Sequence, residues 1–194
     1  NIKNLEIKTR TSVAAYHQYN YLLARENLTD HLEKKDKTNK IRQRLLKIRA
    51  KKVILATGAL ERPLVFNNND RPGIMLSSAI KKYSDFYGVA CGRKIVFFTN
   101  NDSAYESALS LNDKGIKVEA IVDIRKQSET NLEKRVIDAG IKIYWEHTVV
   151  DTSGYKRLNN VSIMKLSNDG TSVTGNKISI SCDCLGVAGG WTPA

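Results

Sequence analysis

Between Arg93 and Trp145 the chain switches twice from a short apolar run to an amphipathic stretch and back. Ile95-Val96-Phe97-Phe98 is apolar at four successive positions, which suits a strand covered on both faces. Asp102 or Ser103 can cap a helix running to Lys114, and Gly115 is placed to end it. Val118–Val122 is a second strand. Thr130 and Glu133 have capping-box spacing for a helix over 130–139, which Gly140 closes before a third strand, Ile141–Trp145. Strand–helix–strand–helix–strand with connections this short allows a parallel sheet with right-handed crossovers and little else.

The flanks are of a different kind. Residues 5–25 read as extended chain, residues 26–40 as a polar connection, and Ile41–Arg49 as a strand able to pair with the one before it. Val53-Ile54-Leu55-Ala56 is an apolar run that stops at Thr57-Gly58, and is expected to be a buried strand. Ser77–Tyr87 reads as a helix ended by Gly88. After Trp145, the segments Thr148–Asp151, Asn160–Leu166 and Ile178–Ser181 form a β-meander, with turns at Ser153-Gly154 and Asn168-Asp169-Gly170. The chain ends on Leu185 to Ala194, where strand again gives way to Gly189-Gly190.

Composition enters through charge. Of the net +11, residues 1–52 carry +9, with 14 Lys/Arg against 5 Asp/Glu. Clustered cations can bind polyanions. Here, however, Lys outnumbers Arg 20 to 11, which favours a solvated basic surface over Arg-centred phosphate recognition, so no nucleic-acid partner is expected. No apolar run approaches the ~18 residues that cross a membrane, and Asn1–Asn4 opens no signal-type segment. Three Cys, an odd number without a secretory signal, fit a reducing, cytoplasmic setting. Cys182-x-Cys184 lacks the redox spacing and, if on one strand, puts both thiols on one face. The scattered His17, His31 and His147 make no metal pattern, and no catalytic residue stands out.

Two turns bear on ligand chemistry. Ala56-Thr57-Gly58-Ala59, with Arg62-Pro63 after it, ends an apolar strand on a glycine that lets a ligand approach the backbone. After Phe98 a dinucleotide turn would read G-x-G-x-x-G/A. The chain has Thr99-Asn100-Asn101-Asp102-Ser103-Ala104, in which Ala104 alone fits. Asn101 would crowd a pyrophosphate and Asp102 would repel it, so a structural or docking role is favoured there. Asp123, at the end of the second strand, stands where an acid would hold a ribose hydroxyl and otherwise reads as an ordinary strand-end acid.

The stretches Ala50–Phe66, Asn68–Leu76, Tyr87-Gly88-Val89 and Phe98–Tyr105, with Cys182–Leu185 and Gly189–Pro193, resemble the alpha subunits of heterotetrameric sarcosine oxidases. More broadly the chain is similar to the glutathione-reductase-like flavoproteins. The fold this implies is a Rossmann-like βαβαβ plus β-meander domain inserted in a partial dinucleotide-binding domain. Its expected parts are residues 1–66 for the first domain, 67–92 for a linker with a helix, 93–181 for the inserted domain and 182–194 for an incomplete return.

The resemblance implies an internal piece, without the Gly-rich loop and the C-terminal folate domain, and inactive alone. It further implies NAD at the first domain, with FAD or FMN in a partner subunit or at an interface. A flavin-bearing beta subunit is the expected partner, and oxidative demethylation of sarcosine the reaction of the complex. Ala56, Thr57, Gly58, Ala59, Arg62, Gly189 and Gly190 are the residues it points to for the dinucleotide. The alternatives are a related complex oxidising proline, opines or glycine, or a non-enzymatic docking module that binds no nucleotide.

Overall fold

The computed structural model describes residues 4–33 and 40–194. Asn1–Lys3 and the middle of the polar connection over 26–40 lie outside the described residues. The chain forms two compact units, residues 1–56 and 57–194.

The first unit is an antiparallel sheet of β1 (Thr11–His17), β2 (Tyr21–Asn27) and β3 (Gln43–Arg49), in the order β1-β2-β3. The pairing of β3 with β2 is as the sequence suggests, with Tyr21 opposite Arg49 and Asn27 opposite Gln43. The sequence does not announce the hairpin between β1 and β2. It turns through Tyr19 and Asn20, both at positive φ (59° and 53°), without the Asn-Gly pair that marks such turns. Part of the basic charge is spent internally, since Arg44 pairs with Glu26 at 2.7 Å and Arg42 with Asp30 at 2.6 Å.

The apolar run at 53–56 is not a strand. Ile54 is 91% and Leu55 65% exposed. An apolar strand is buried when packed elements cover both of its faces; here no strand among the described residues pairs with the segment, and it does not enter a sheet.

The second unit begins with β4 (Ala59–Glu61), β5 (Ile74–Leu76) and α1 (Ser77–Tyr87). Then come β6 (Lys94–Thr99), α2 (Ser103–Asn112), β7 (Lys117–Asp123), α3 (Asn131–Asp138) and β8 (Lys142–Trp145). The meander is β9 (His147–Ser153), β10 (Asn160–Leu166) and β11 (Val173–Ser181), and the chain closes with β12 (Cys184–Ala188) and β13 (Trp191–Pro193). The parallel sheet runs β5-β12-β6-β7-β8, and the meander forms its own antiparallel sheet, β11-β10-β9.

Strand alternation sorts the two cores. Ile95 and Phe97 of β6 pack with Ile80 of α1, Ala104, Tyr105 and Ala108 of α2, and Val136 of α3. Val96 and Phe98 face the other way, into Val149, Val161 and Ile163 of the meander. Helices therefore cover one face of the sheet and the meander the other, which is why β6 reads as an unbroken apolar run.

Local signals hold well here. Thr130 accepts from the Glu133 N–H at 3.2 Å, as its spacing predicts, while the Glu133 carboxylate accepts from the Ser128 hydroxyl at 2.9 Å. Gly88, Gly115 and Gly140 end the three helices at φ between 65° and 75°. Asp102 is the N-cap of α2 but makes no side-chain cap bond. Its carboxylate goes to Arg125 instead, at 2.8 Å.

Three expectations are corrected. Residues 67–92 are not a linker, because β5 joins the sheet and α1 covers it. Residues 184–188 do not leave the inserted domain, because β12 lies at the centre of the parallel sheet between β5 and β6. Nor do Cys182 and Cys184 share a face. One strand ends at Ser181 and the next starts at Cys184, so Cys182 faces the meander core and Cys184 the helix core.

Burial pushes both of these thiols up to about 12, while Cys91 is half-buried. Because the thiolate is the nucleophile, an aromatic disulfide reagent at pH 8 is expected to label Cys91 in native protein and all three cysteines after denaturation. Rapid native labelling of Cys182 or Cys184 would contradict the buried placement.

Candidate functional site

β4 and β13 form a short antiparallel ladder, with Glu61 opposite Trp191, Leu60 opposite Thr192 and Ala59 opposite Pro193. Backbone bonds extend it at both ends. Gly189 N–H donates to the Arg62 carbonyl at 2.6 Å, Arg62 N–H to the Gly190 carbonyl at 2.8 Å, and Ala194 N–H to the Gly58 carbonyl at 3.1 Å. The Thr57 hydroxyl donates to the Ala194 carbonyl at 2.8 Å. The two glycine turns singled out in the sequence therefore meet as one clasp, although no strand precedes the first of them. Its pairing was not legible, since three-residue strands carry no periodicity.

The glycines of the clasp do different things. Gly58 and Gly190 have φ of 79° and 99°, and a Cβ at either would meet nothing within 4 Å. Their backbone is open to a ligand, and the conformation requires glycine. A Cβ at Gly189 would lie 2.7 Å from the Arg62 carbonyl oxygen and 2.8 Å from that of Pro63, so this glycine serves the close approach of two backbones. Thr57 is committed to the ladder, Ala59 is a ladder residue, and Arg62 has an exposed side chain. Ala56 belongs to the other compact unit. Beside the clasp lies an apolar pocket of about 230 Å³ lined by Pro63, Leu64, Phe66, Ile74, Leu76 and Val187.

At the carboxyl edge of the sheet the order of connections reverses between β6 and β12, where open α/β sheets place a ligand crevice. Asn100 and Asn101 bridge it. Asn101 donates from its amide to the Ala188 carbonyl at 3.0 Å, and Asn100 to the Gly189 carbonyl at 3.4 Å. The Asn101 Oδ1 accepts from the Ser103 N–H at 3.0 Å and from the Ser103 hydroxyl at 2.5 Å. That N–H is one of the donors with which a helix N-terminus would hold a phosphate. A side-chain amide already fills the cradle, so the residues at 99–104 do not fit a dinucleotide's diphosphate.

The ribose end of that crevice is equally committed. Asp123 is 1% exposed and accepts from the Tyr105 hydroxyl at 2.9 Å, the Arg125 N–H at 2.8 Å and the Arg125 guanidinium at 2.8 Å. Burial, then the Asp123 charge, pushes the Tyr105 phenol well above its usual range, so it stays a proton donor. Asp123 and Asp102 together raise the Arg125 guanidinium against the cost of its partial burial. The strand-end acid is thus structural, and Arg125 clamps the turn before α2 to the end of β7. Among the described residues no group of three His, Cys, Asp or Glu could hold a metal, and no helix is long and apolar enough to cross a membrane.

No family model matches the chain. Among characterised proteins it is 39% identical over 186 residues to the sarcosine oxidase subunit alpha of Corynebacterium sp. strain P-1, covering 95% of this chain and 19% of that protein. It is 35% identical over 190 residues to the subunit of the same name from Rhizobium meliloti strain 1021, covering 98% and 18%. Among solved structures it is similar to T. acidophilum thioredoxin reductase, with a TM-score of 0.58, 18% identity, and coverage of 78% of this chain and 48% of that one. An FAD-dependent pyridine nucleotide-disulphide oxidoreductase from Desulfovibrio vulgaris matches with a TM-score of 0.56, 17% identity, and coverage of 95% and 44%. The chain spans about a fifth of the length of the relatives it matches. Its fold is similar to that of these two oxidoreductases, and over the segment it covers its sequence is similar to the sarcosine oxidase alpha subunits.

Proposed function

We propose that this chain is part of the alpha-type subunit of a multi-subunit amine oxidoreductase, and that its clasp at Gly58 and Gly190 lines a dinucleotide, NAD. The observation that carries this reading is the joining of two glycine turns, both open above the backbone, through hydrogen bonds of 2.6–3.1 Å. Thr57, Ala59 and Gly189 hold the clasp in shape, Arg62 supplies an exposed guanidinium for a phosphate, and Ala56 leads into the first turn. When bound, a nicotinamide or flavin dinucleotide supplies the hydride or electron chemistry, and this chain's residues only bind and orient it. Sarcosine is the substrate we favour for the complete complex, in the cytoplasm, with a flavin-bearing beta subunit as partner. The relatives' names support that choice over proline, opines or glycine. The chain by itself should not oxidise amines. A docking role applies to the domain built on β6–β8, whose crevice Asn101 closes.

Thermal melting of the full-length protein with NAD and with FAD tests this. A ligand held at 100 times its Kd adds about 2.7 kcal/mol of apparent stability. NAD is expected to raise Tm, and Gly58→Val to remove most of that ligand-induced rise; the strained positive φ lowers the unliganded Tm as well, so the rise on adding NAD is the readout. An equal NAD response in Gly58→Val would place the dinucleotide elsewhere.

A further inference from the structure

Glu61 is a cross-strand neighbour of Trp191 in the clasp and is 8% exposed. One carboxylate oxygen accepts from the Ser78 N–H at 2.8 Å, so a residue from outside the helix caps the first turn of α1. The other oxygen, Oε1, is buried and accepts nothing. An uncompensated buried carboxylate oxygen is costly in a folded protein. Glu61 lines a cleft of about 360 Å³ between α1, α2 and the clasp.

The cleft has two aromatic residues in its wall, Trp191 (47% exposed) and Phe86 (77% exposed). Its charges are Glu61, Glu106, Asp85, Lys81 and Lys82. Asp85 is consumed by ion pairs to Lys81 and Lys114. That leaves the carboxylates of Glu61 and Glu106 against the ammonium of Lys82. A carboxylate beside an indole and a phenyl ring is the chemistry that takes an N–H-bearing organic cation, through a charge-assisted hydrogen bond and cation–π contact.

We infer that this cleft is a binding site for an alkylammonium or guanidinium group, its N–H donated to Glu61 and its apolar stem laid against Trp191 and Phe86. The cation is either a free amine or the end of a Lys or Arg side chain from another subunit. The inference does not rest on the dinucleotide reading, since neither Gly58 nor Gly190 lines this cleft and it needs no nucleotide.

The test is titration of the full-length protein with n-butylammonium chloride at constant ionic strength, read by tryptophan fluorescence. A saturable change is expected. It should weaken at least tenfold in Glu61→Gln, whose amide oxygen still caps Ser78, and weaken in Phe86→Leu, which leaves the helix cap and the Trp191 reporter intact. Persistence of the response in the assembled complex identifies a free amine as the ligand. Its loss on assembly identifies a partner's side chain, and either result supports the site. The inference is overturned by no saturable change, by an undiminished response in both Glu61→Gln and Phe86→Leu, or by a response to sodium acetate in place of the ammonium.

Discussion

Asp123→Ala is expected to destabilise the protein by about 3 kcal/mol, at the lower end of the ~3–5 kcal/mol for breaking a buried charge pair. The carboxylate is 1% exposed and holds three partners at 2.8–2.9 Å. Its removal strands the Tyr105 hydroxyl, which sits in a residue only 1% exposed. The Arg125 guanidinium is 38% exposed and keeps Asp102, so water and a second carboxylate soften the loss on that side. Tyr105→Phe removes the hydroxyl and should cost only ~1 kcal/mol. Urea unfolding of both single variants and the double variant gives the coupling energy. Additive effects would show that Tyr105 and Asp123 do not act as a unit, and a loss below ~1 kcal/mol for Asp123→Ala would remove the network as a stabilising feature.

Gly189→Val has an effect of different reach. Its Cβ would fall 2.7 Å and 2.8 Å from two backbone carbonyl oxygens, which cannot rotate away as a side chain would. Overpacking of this kind costs about 1–3 kcal/mol in cores. The ladder it disturbs is only three residues per strand. The cheaper response is for β4 to peel from β13, leaving the parallel sheet intact. Hydrogen exchange is expected to show loss of protection at the Gly189 and Arg62 amides, with Leu185 in β12 unchanged. NAD affinity should fall more than tenfold, because the two open turns are no longer held together. Gly58→Ala is the control for the exchange measurement alone: its Cβ meets nothing in the protein, so only the positive φ is strained, at about 1 kcal/mol, and the Arg62 amide should stay protected. Full protection of the Arg62 amide in Gly189→Val would show that the clasp tolerates the added side chain.

How far the sequence could be read follows from what each signal depends on. Strands covered on both faces, helix caps and ending glycines are local, and β6, α1, α3 and the three helix stops all lie where their residues place them. Strand order is not local. Leu185-Gly186-Val187-Ala188 reads as a terminal strand, and nothing in it says that it slots between β5 and β6. The apolar run at 53–56 shows the reverse error, since hydrophobicity alone does not supply a pairing partner. Asn101 was legible in part: its side chain was expected to crowd a phosphate, but its role as acceptor for Ser103 and donor to Ala188 depends on the neighbouring strand. The orphaned oxygen of Glu61 had no sequence signal, because it arises from a helix cap borrowed across 17 positions.

The place of β12 also sets a timetable for the growing chain. Ile95 waits for Cys184, and Ile74 for Leu185, before the middle of the parallel sheet can close. As the chain is synthesised, β6 can pair with β7 and β8 and gather its helices, but its other edge stays unpaired until residues 184–188 emerge. Contacts of such long sequence separation are slow to form, and an unpaired edge invites association with other chains. A ribosome stalled before residue 184 should therefore hold a partly ordered, protease-sensitive nascent chain, and release from that state should come abruptly with the arrival of five residues of β12.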